Sequence, residues 1–188
     1  MYIIINMKTK KFAVISIFAG LIIVLQILAT YINFGGFPIT LTLIPIIIAG
    51  AIYGPVIGAL MGLVFGIIVS VMVVIGADAA GMIMLVAHPF ITITTCLLKG
   101  TIAGLLGSLV YKTIRNNKLG IILSAIVTPF TNTLILYISL ILFFDTSFTA
   151  MISAFVSINF IVELLINVLV APGLLGLIKR IKSRQQYD

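Results

Sequence analysis

Long apolar stretches separated by short polar breaks run through the whole chain, and their spacing predicts helices that cross a membrane. The pattern predicts six helices, at residues 11–32, 38–52, 55–76, 82–113, 119–143 and 150–180. A spanning helix needs about 20 apolar residues, so the second is short, and the fourth and sixth are long enough to tilt. The sequence therefore predicts an all-α integral membrane protein with one six-helix domain over residues 1–188.

Glycine recurs every four residues from Gly54 through the third predicted helix, and at the same spacing in the fourth. The positions are Gly54, Gly58, Gly62 and Gly66, followed by Gly100 and Gly104. Small residues at this spacing clear one helix face, so that another helix backbone can pack closely against it in lipid. We interpret these glycines as helix-packing positions, which is the more common role of this spacing than phosphate binding.

The positive charges predict the orientation of the helices. The chain has 11 Lys and Arg, 4 Asp and Glu, and a net charge of +7. Ten of the basic residues lie in three clusters, before the first predicted helix, between the fourth and fifth, and after the sixth. With six spans these clusters share one side, and the positive-inside rule predicts a cell-membrane protein with both termini in the cytoplasm. Because the basic residues flank the ends of predicted membrane helices, their placement is explained by topology and argues against a nucleic-acid partner.

Two ionisable side chains, Lys99 and Glu163, lie inside predicted spans. Each costs at least about 2.5–3.5 kcal/mol on insertion scales, so each is a candidate functional residue. Counted from the cytoplasmic helix ends at the α-helical rise, the two lie at comparable depth. A Lys99–Glu163 pair would lower the cost of both, either as part of a binding site or as a structural tie between helices.

Further polar side chains lie near that level in the fourth, fifth and sixth predicted helices. Phe37 lies in a Gly-rich loop that could fold over a pocket as a lid or form a plain turn. The predicted substrate-binding residues are Lys99, Glu163, Asn132, Asn159, Thr92, Thr95, His88 and Phe37. We expect a polar pocket that opens outward between helices four to six. The first three helices carry almost no polar residues and are expected to serve packing.

Motifs for catalysis are absent from the sequence. There is no Gly-x-x-x-x-Gly-Lys-Ser/Thr loop for ATP, no His-Glu-x-x-His zinc motif and no Gly-x-Ser-x-Gly nucleophile motif. The single cysteine, Cys96, has no partner for a disulfide or a Cys-x-x-Cys metal site. The sequence predicts no catalytic residue, no cofactor and no metal, so binding is favoured over catalysis.

Two segments, Leu43-Ile-Pro-Ile-Ile-Ile-Ala-Gly-Ala-Ile-Tyr-Gly-Pro-Val-Ile-Gly-Ala-Leu-Met-Gly-Leu-Val-Phe-Gly66 and Leu98-Lys-Gly-Thr-Ile-Ala-Gly104, carry a resemblance to a known family. The chain resembles the substrate-binding S components of energy-coupling factor (ECF) vitamin transporters. The resemblance implies high-affinity vitamin binding near the outer face, and docking to a transmembrane T subunit and two cytoplasmic ATPase subunits. It also implies that small residues of the first helix, here Ala13, Ser16 and Gly20, contact the T subunit.

The vitamin is harder to infer. Thr40-Leu-Thr-Leu precedes Ile44-Pro45, where riboflavin-specific members of the family carry an acidic residue, and the chain has no Trp to stack a large ring. Lys99 and the Asn and Thr side chains would suit a small hydroxylated carboxylate, so pantothenate is preferred. Riboflavin, folate or cobalamin remain alternative substrates.

Two other functions remain open. The first is a stand-alone small transporter or channel, which would need a polar path through both faces of the bundle. The second is a membrane enzyme that uses His88 and Glu163 as acid and base. At helical rise these two differ in depth by roughly 10 Å or more, so a single reacting atom could hardly meet both.

Overall fold

A computed structural model describes the backbone at residues 2–31, 33–34, 37–38 and 41–187, and side chains at residues 12–29, 31, 41–181 and 183. In that part the chain forms seven helices, α1 (Tyr2–Tyr31), α2 (Leu43–Tyr53), α3 (Pro55–Val74), α4 (Ala79–Ala87), α5 (Pro89–Thr113), α6 (Asn117–Phe143) and α7 (Thr146–Tyr187). Two short strands, β1 (Asn33–Phe34) and β2 (Phe37–Pro38), pair antiparallel.

Five of the helices are long and apolar enough to cross a membrane. The candidate spans are Phe12–Ala29, Pro55–Val74, Pro89–Thr113, Asn117–Phe143 and Thr146–Ile181. Helix α2 has 11 residues and covers only about half of the apolar thickness of a bilayer. The prediction of an all-α membrane protein is confirmed, while the second predicted span is too short to cross alone.

The fourth predicted helix, 82–113, is two helices in the structure. Helix α4 ends at Ala87, the backbone of His88 is not helical (φ −144°, ψ 81°), and Pro89 is the first residue of α5. Proline suits the first helical position, where no backbone N–H is needed, and it disfavours a helical conformation in the residue before it. The prediction of one continuous helix was therefore wrong at this point.

The central contact of the bundle joins α3 and α5, which run antiparallel. It pairs Gly58 with Gly104, Gly62 with Gly100, and Gly66 with Cys96. A Cβ atom built on Gly66 would lie 2.6 Å from the Cys96 carbonyl oxygen, and one on Gly62 would overlap the Gly100 carbonyl. The two backbones are thus in direct contact, as small residues allow in membrane helices.

Gly54 does not share this packing face. It joins α2 to α3 with φ 95° and ψ 176°, a conformation that glycine adopts readily because it has no Cβ. A Cβ built there would meet no atom within 4 Å. The predicted packing role of Gly54 was wrong, because Pro55 starts a new helix and Gly54 turns the chain into it.

Helix α2 lies at the centre of the bundle and contacts α1, α3, α5, α6 and α7. Its apolar side chains are almost completely buried, among them Leu43, Ile46 and Ile47. Beyond the C-terminal end of α1, strand β2 contacts α1, α4 and α7. The β1–β2 hairpin therefore lies across the end of the bundle that holds the cavity described next.

Candidate functional site

A polar cavity lies between α1, α3, α5, α6 and α7. Its lining residues are Gln26, Phe65, Val69, Asp78, Lys99, Asn132, Thr133, Leu136, Val156, Asn159 and Glu163. The structure thus brings together four of the predicted site residues, Lys99, Asn132, Asn159 and Glu163. The cavity encloses about 40 Å³, which is room for a few water molecules.

A second cavity of about 30 Å³ adjoins the first towards α4. Thr92 and Thr95 line it, and it shares Asp78 and Lys99 with the first cavity. Lys99 and Asp78 therefore lie at the boundary between two small chambers. Because the chambers are far smaller than the several hundred Å³ of a typical small-molecule pocket, a ligand larger than a few water molecules needs the surrounding side chains to move apart.

The α7 wall of the cavity is organised around Glu163, which is 1% exposed. Asn159 Nδ2 donates a hydrogen bond to Glu163 Oε1 at 3.1 Å, and Asn167 Nδ2 donates to the Glu163 carbonyl oxygen at 2.7 Å. These bonds follow from the four-residue spacing, which stacks the three side chains on one helix face. They also orient Asn159 so that its amide oxygen is not the atom facing Glu163.

Two amide oxygens of the cavity wall have no hydrogen-bond partner among the described residues. These are Asn159 Oδ1 and Asn132 Oδ1, and Asn132 is 6% exposed. A buried acceptor without a donor is costly, so such groups are usually satisfied by water or by a ligand. The cavity therefore offers hydrogen-bond acceptors to a molecule that carries donors.

Asp78 also lines both chambers, although it was not among the predicted site residues. Its Oδ1 accepts a hydrogen bond from the Gly81 backbone N–H at 2.9 Å and caps α4. Burial raises the pKa of the Asp78 carboxyl, while the Gly81 N–H and the positive charge of Lys99 act in the opposite direction. An Asp directly before an apolar helix is a typical N-cap, so the sequence could have placed Asp78 at the start of α4, although this pattern does not predict burial.

Gln26 of α1 also lines the cavity and was not predicted. It is 2% exposed, and Thr42 Oγ1 donates a hydrogen bond to Gln26 Oε1 at 3.2 Å, which ties α1 to the start of α2. Helix α3 contributes Phe65 and Val69 to the same lining. The expectation that the first three helices serve only packing was therefore wrong. The signal available in the sequence was the Gln26 amide, a polar side chain inside an apolar span.

The hydroxyls of Thr92 and Thr95 already have protein partners. Thr92 Oγ1 donates to the His88 carbonyl oxygen at 2.9 Å, which is the usual bond of a Thr to its own helix. Thr95 Oγ1 lies 2.7 Å from Ser139 Oγ, so this pair joins α5 to α6. Both threonines shape the second chamber while their hydroxyls stabilise helices.

His88 and Phe37 are not brought to the cavity by described side chains. His88 is exposed at the break between α4 and α5, where its ring lies 5.1 Å from the Phe144 ring in an edge-to-face contact. It does not line either chamber. The backbone of Phe37 lies in β2, and its side chain is outside the described residues.

The three small residues of α1 that were predicted to contact the T subunit are exposed. Ala13, Ser16 and Gly20 lie at three- and four-residue spacing on one face, and nothing lies within 4 Å of a Cβ built on Gly20. Ser16 Oγ donates to the Phe12 carbonyl oxygen at 3.0 Å. This face is open to a neighbouring helix.

Among the described residues, no group of three His, Cys, Asp or Glu side chains could hold a metal ion. The first cavity is lined by one ammonium group, two carboxyl groups and several amides in the interior of the helix bundle. Comparison with curated proteins finds no match. The family model of the ECF transporter, substrate-specific component, matches residues 10–176. The chain therefore belongs to the family of ECF transporter substrate-specific components.

Proposed function

We propose that the chain is the high-affinity, membrane-embedded substrate-binding subunit of an ECF-type ABC importer that takes up a vitamin or a related micronutrient. By family, the chain is a subunit of a transporter and not an enzyme. The observation that carries the finer proposal is the cavity that gathers Lys99, Asn132, Asn159 and Glu163 inside the bundle. Polar side chains are costly in a membrane and are retained where they bind something.

The proposed topology has six crossings with both termini in the cytoplasm. Helix α2 provides the second crossing together with the chain that leads into it, since its first residues are buried in protein rather than exposed to lipid. The loop between α5 and α6 and the end of α7 then share the cytoplasmic side with the N-terminus. The cavity lies in the outer half of the bundle.

Pantothenate is the substrate that we propose, because its groups match those of the cavity. It carries a carboxylate, two hydroxyls and an amide N–H. Lys99 can bind the carboxylate. The amide oxygens of Asn132 and Asn159 and the carboxyl oxygens of Asp78 and Glu163 can accept hydrogen bonds from the hydroxyls and the N–H.

The proposed partners are a transmembrane T subunit and two cytoplasmic ATPase subunits. Family membership supports a partnership with T and ATPase subunits and with a small-molecule substrate. We propose that Ala13, Ser16 and Gly20 contact the T subunit, since they form an exposed small-residue face. Gly20→Leu should reduce co-purification of the T subunit without changing substrate affinity; equal co-purification would exclude this face.

The deciding experiment is native mass spectrometry of the chain purified from cells, with the retained small molecule identified after denaturation. Retained pantothenate is the expected result. Another vitamin would keep the proposed function and reject pantothenate. An empty chain that binds none of the B vitamins would reject the function. Vitamin transport by the chain alone in liposomes would favour a stand-alone transporter.

Two analogues test the assignment of groups within the site. Pantothenol replaces the carboxylate with an alcohol, and the dideoxy analogue of pantothenate lacks both hydroxyls. The wild-type chain should bind both analogues more weakly than pantothenate. In Lys99→Ala the preference for pantothenate over pantothenol should largely disappear, while the preference over the dideoxy analogue should remain. An unchanged preference over pantothenol would show that Lys99 does not bind the carboxylate.

A further inference from the structure

A second polar recess lies at the opposite end of the bundle from the substrate cavity. It is a groove of about 520 Å³ between the end of α2, the start of α3 and the loop that joins α5 to α6. Its lining residues are Gly50, Ala51, Ile52, Tyr53, Gly54, Tyr111, Lys112, Ile114, Arg115 and Asn117. Neither the substrate nor the proposed contact on α1 uses this surface.

The groove is positively charged. Lys112 and Arg115 line it, and both side chains are exposed. Of the acidic residues in the described part of the chain, Asp78 and Glu163 line the substrate cavity, and Asp145 lies in the loop at the other end of α6. No described carboxylate lines the groove, so its two cations are available to an anion.

The backbone makes room for that anion. Gly54 leaves this wall of the groove without a side chain, since a Cβ built there would meet nothing within 4 Å, and its positive φ turns the chain from α2 into α3. The N-terminus of α6 contributes little, because Asn116 Oδ1 already accepts hydrogen bonds from the backbone N–H groups of Lys118 and Leu119. The attraction for an anion therefore comes from the Lys112 and Arg115 side chains.

Apolar side chains that face away from the protein begin directly beside the groove. Val56 and Leu60 follow Gly54 on α3 and are 71% and 46% exposed. On α6, Leu119 and Leu123 follow the loop and are 53% and 40% exposed. The acyl chains of a lipid can lie along these apolar surfaces while its headgroup occupies the groove. A free phosphate ion has no acyl chains and gains nothing from these surfaces.

We propose that this groove binds the phosphate headgroup of an anionic phospholipid, with Lys112 and Arg115 as the phosphate ligands. Basic pockets between membrane helices at the cytoplasmic surface suit anionic headgroups, and the guanidinium of Arg can bind phosphate through two parallel hydrogen bonds. The lipid would rest on the junction of α2 and α3 and on the α5–α6 loop at the same time. It would thereby join the pair α2 and α3 to the pair α5 and α6 on the opposite side of the groove.

The test uses the full chain reconstituted in vesicles of phosphatidylethanolamine and phosphatidylglycerol at three to one, extracted gently and examined by native mass spectrometry. The double variant Lys112→Gln/Arg115→Gln should retain at least tenfold less phosphatidylglycerol than the wild type. The control Lys179→Gln/Arg180→Gln removes the same charge from exposed positions on α7 and should change retention less than about twofold. Thermal melts of all three proteins verify that each is folded.

Several results would overturn the proposal. Equal losses in the two variants would mean that net charge, and not the groove, attracts the lipid. Unchanged phosphatidylglycerol retention in the groove variant, or retention of the two lipids by the wild type in the three-to-one ratio of the vesicles, would exclude an anionic headgroup site. Displacement of phosphatidylglycerol by millimolar inorganic phosphate would identify a site for free phosphate instead. None of these measurements depends on the vitamin, so they are independent of the proposed transport function.

Discussion

The contact between α3 and α5 predicts that one added methyl group at Gly62 destabilises the protein. A Cβ at this position would overlap the Gly100 carbonyl oxygen and lie 2.7 Å from its carbon and 3.2 Å from Thr101 Cα. All three obstructing atoms are backbone atoms, so no rotamer change can relieve the contact. Gly176→Ala is the matched control, since Gly176 is exposed on α7 and a Cβ there meets nothing within 4 Å.

The size of the effect follows from two opposing terms. Replacing a helical glycine with alanine gains about 0.8–1 kcal/mol of helix propensity, and this gain is common to Gly62→Ala and Gly176→Ala. Overpacking typically costs about 1–3 kcal/mol, and only Gly62→Ala incurs it. The difference in unfolding free energy between the two variants should therefore be about 1–3 kcal/mol. For a chain of this size, that corresponds to a Tm difference of roughly 2–12 °C.

A native cysteine can report the unfolding of the two variants. Cys96 is the single cysteine, and it is 6% exposed within the contact between α3 and α5. A thiol-reactive fluorescent dye should therefore label the detergent-solubilised protein only as it unfolds. Helicity measured during titration with SDS gives a second, global probe. If Gly62→Ala melted at or above the temperature of Gly176→Ala by both probes, the packing argument would be refuted.

Three further predictions concern the candidate site. Lys99→Ala should weaken pantothenate binding at least tenfold in calorimetry without changing yield, and unchanged affinity would leave Lys99 a structural role. Because the Asp78 pKa is raised above its ordinary 3.8, the folded state holds this proton more tightly, so stability should fall as pH rises from 3.8 through the raised value. In thermal melts across this pH range, Asp78→Asn should lose the pH dependence of stability while keeping the helix cap. Asp78→Ala should in addition lose about 0.5–2 kcal/mol of stability, because it lacks the hydrogen bond from the Gly81 N–H. Thr95→Val should cost about 0.6 kcal/mol, and at most about 1.7, through the lost bond to Ser139, while an unchanged melt would show that this bond contributes nothing.

Much of the architecture could be predicted from the sequence, because the membrane imposes strong local rules. Backbone groups in lipid must be satisfied within a helix, so apolar length alone identifies the spanning segments. The four-residue spacing of Gly58, Gly62 and Gly66 puts them on one helix face whatever the neighbours are. Likewise, Asn159 and Glu163 share a face of α7, and a buried polar face must turn towards protein.

The sequence pattern could not reveal which faces meet. That Gly62 lies against Gly100, and that Lys99 lines the same cavity as Glu163, depend on how the helices are rotated and aligned against one another. Periodicity within one helix carries no information on this rotation. The glycine motifs predicted close packing, and the structure supplied the partner.

The irregular segments show most clearly the difference between what the sequence predicts and what the tertiary structure decides. Gly54 and His88 were assigned to a helix face and to the pocket from sequence spacing, but each lies at a helix junction set by the proline that follows it. Asp78 and Gln26 were not predicted as site residues, and they line the cavity because the fold brings α1 and the start of α4 to the same space as α5 and α7. The sequence by itself determined the membrane, the helices and their polar faces. Only the tertiary structure decided which of those faces form a cavity, because that depends on contacts between residues distant in sequence.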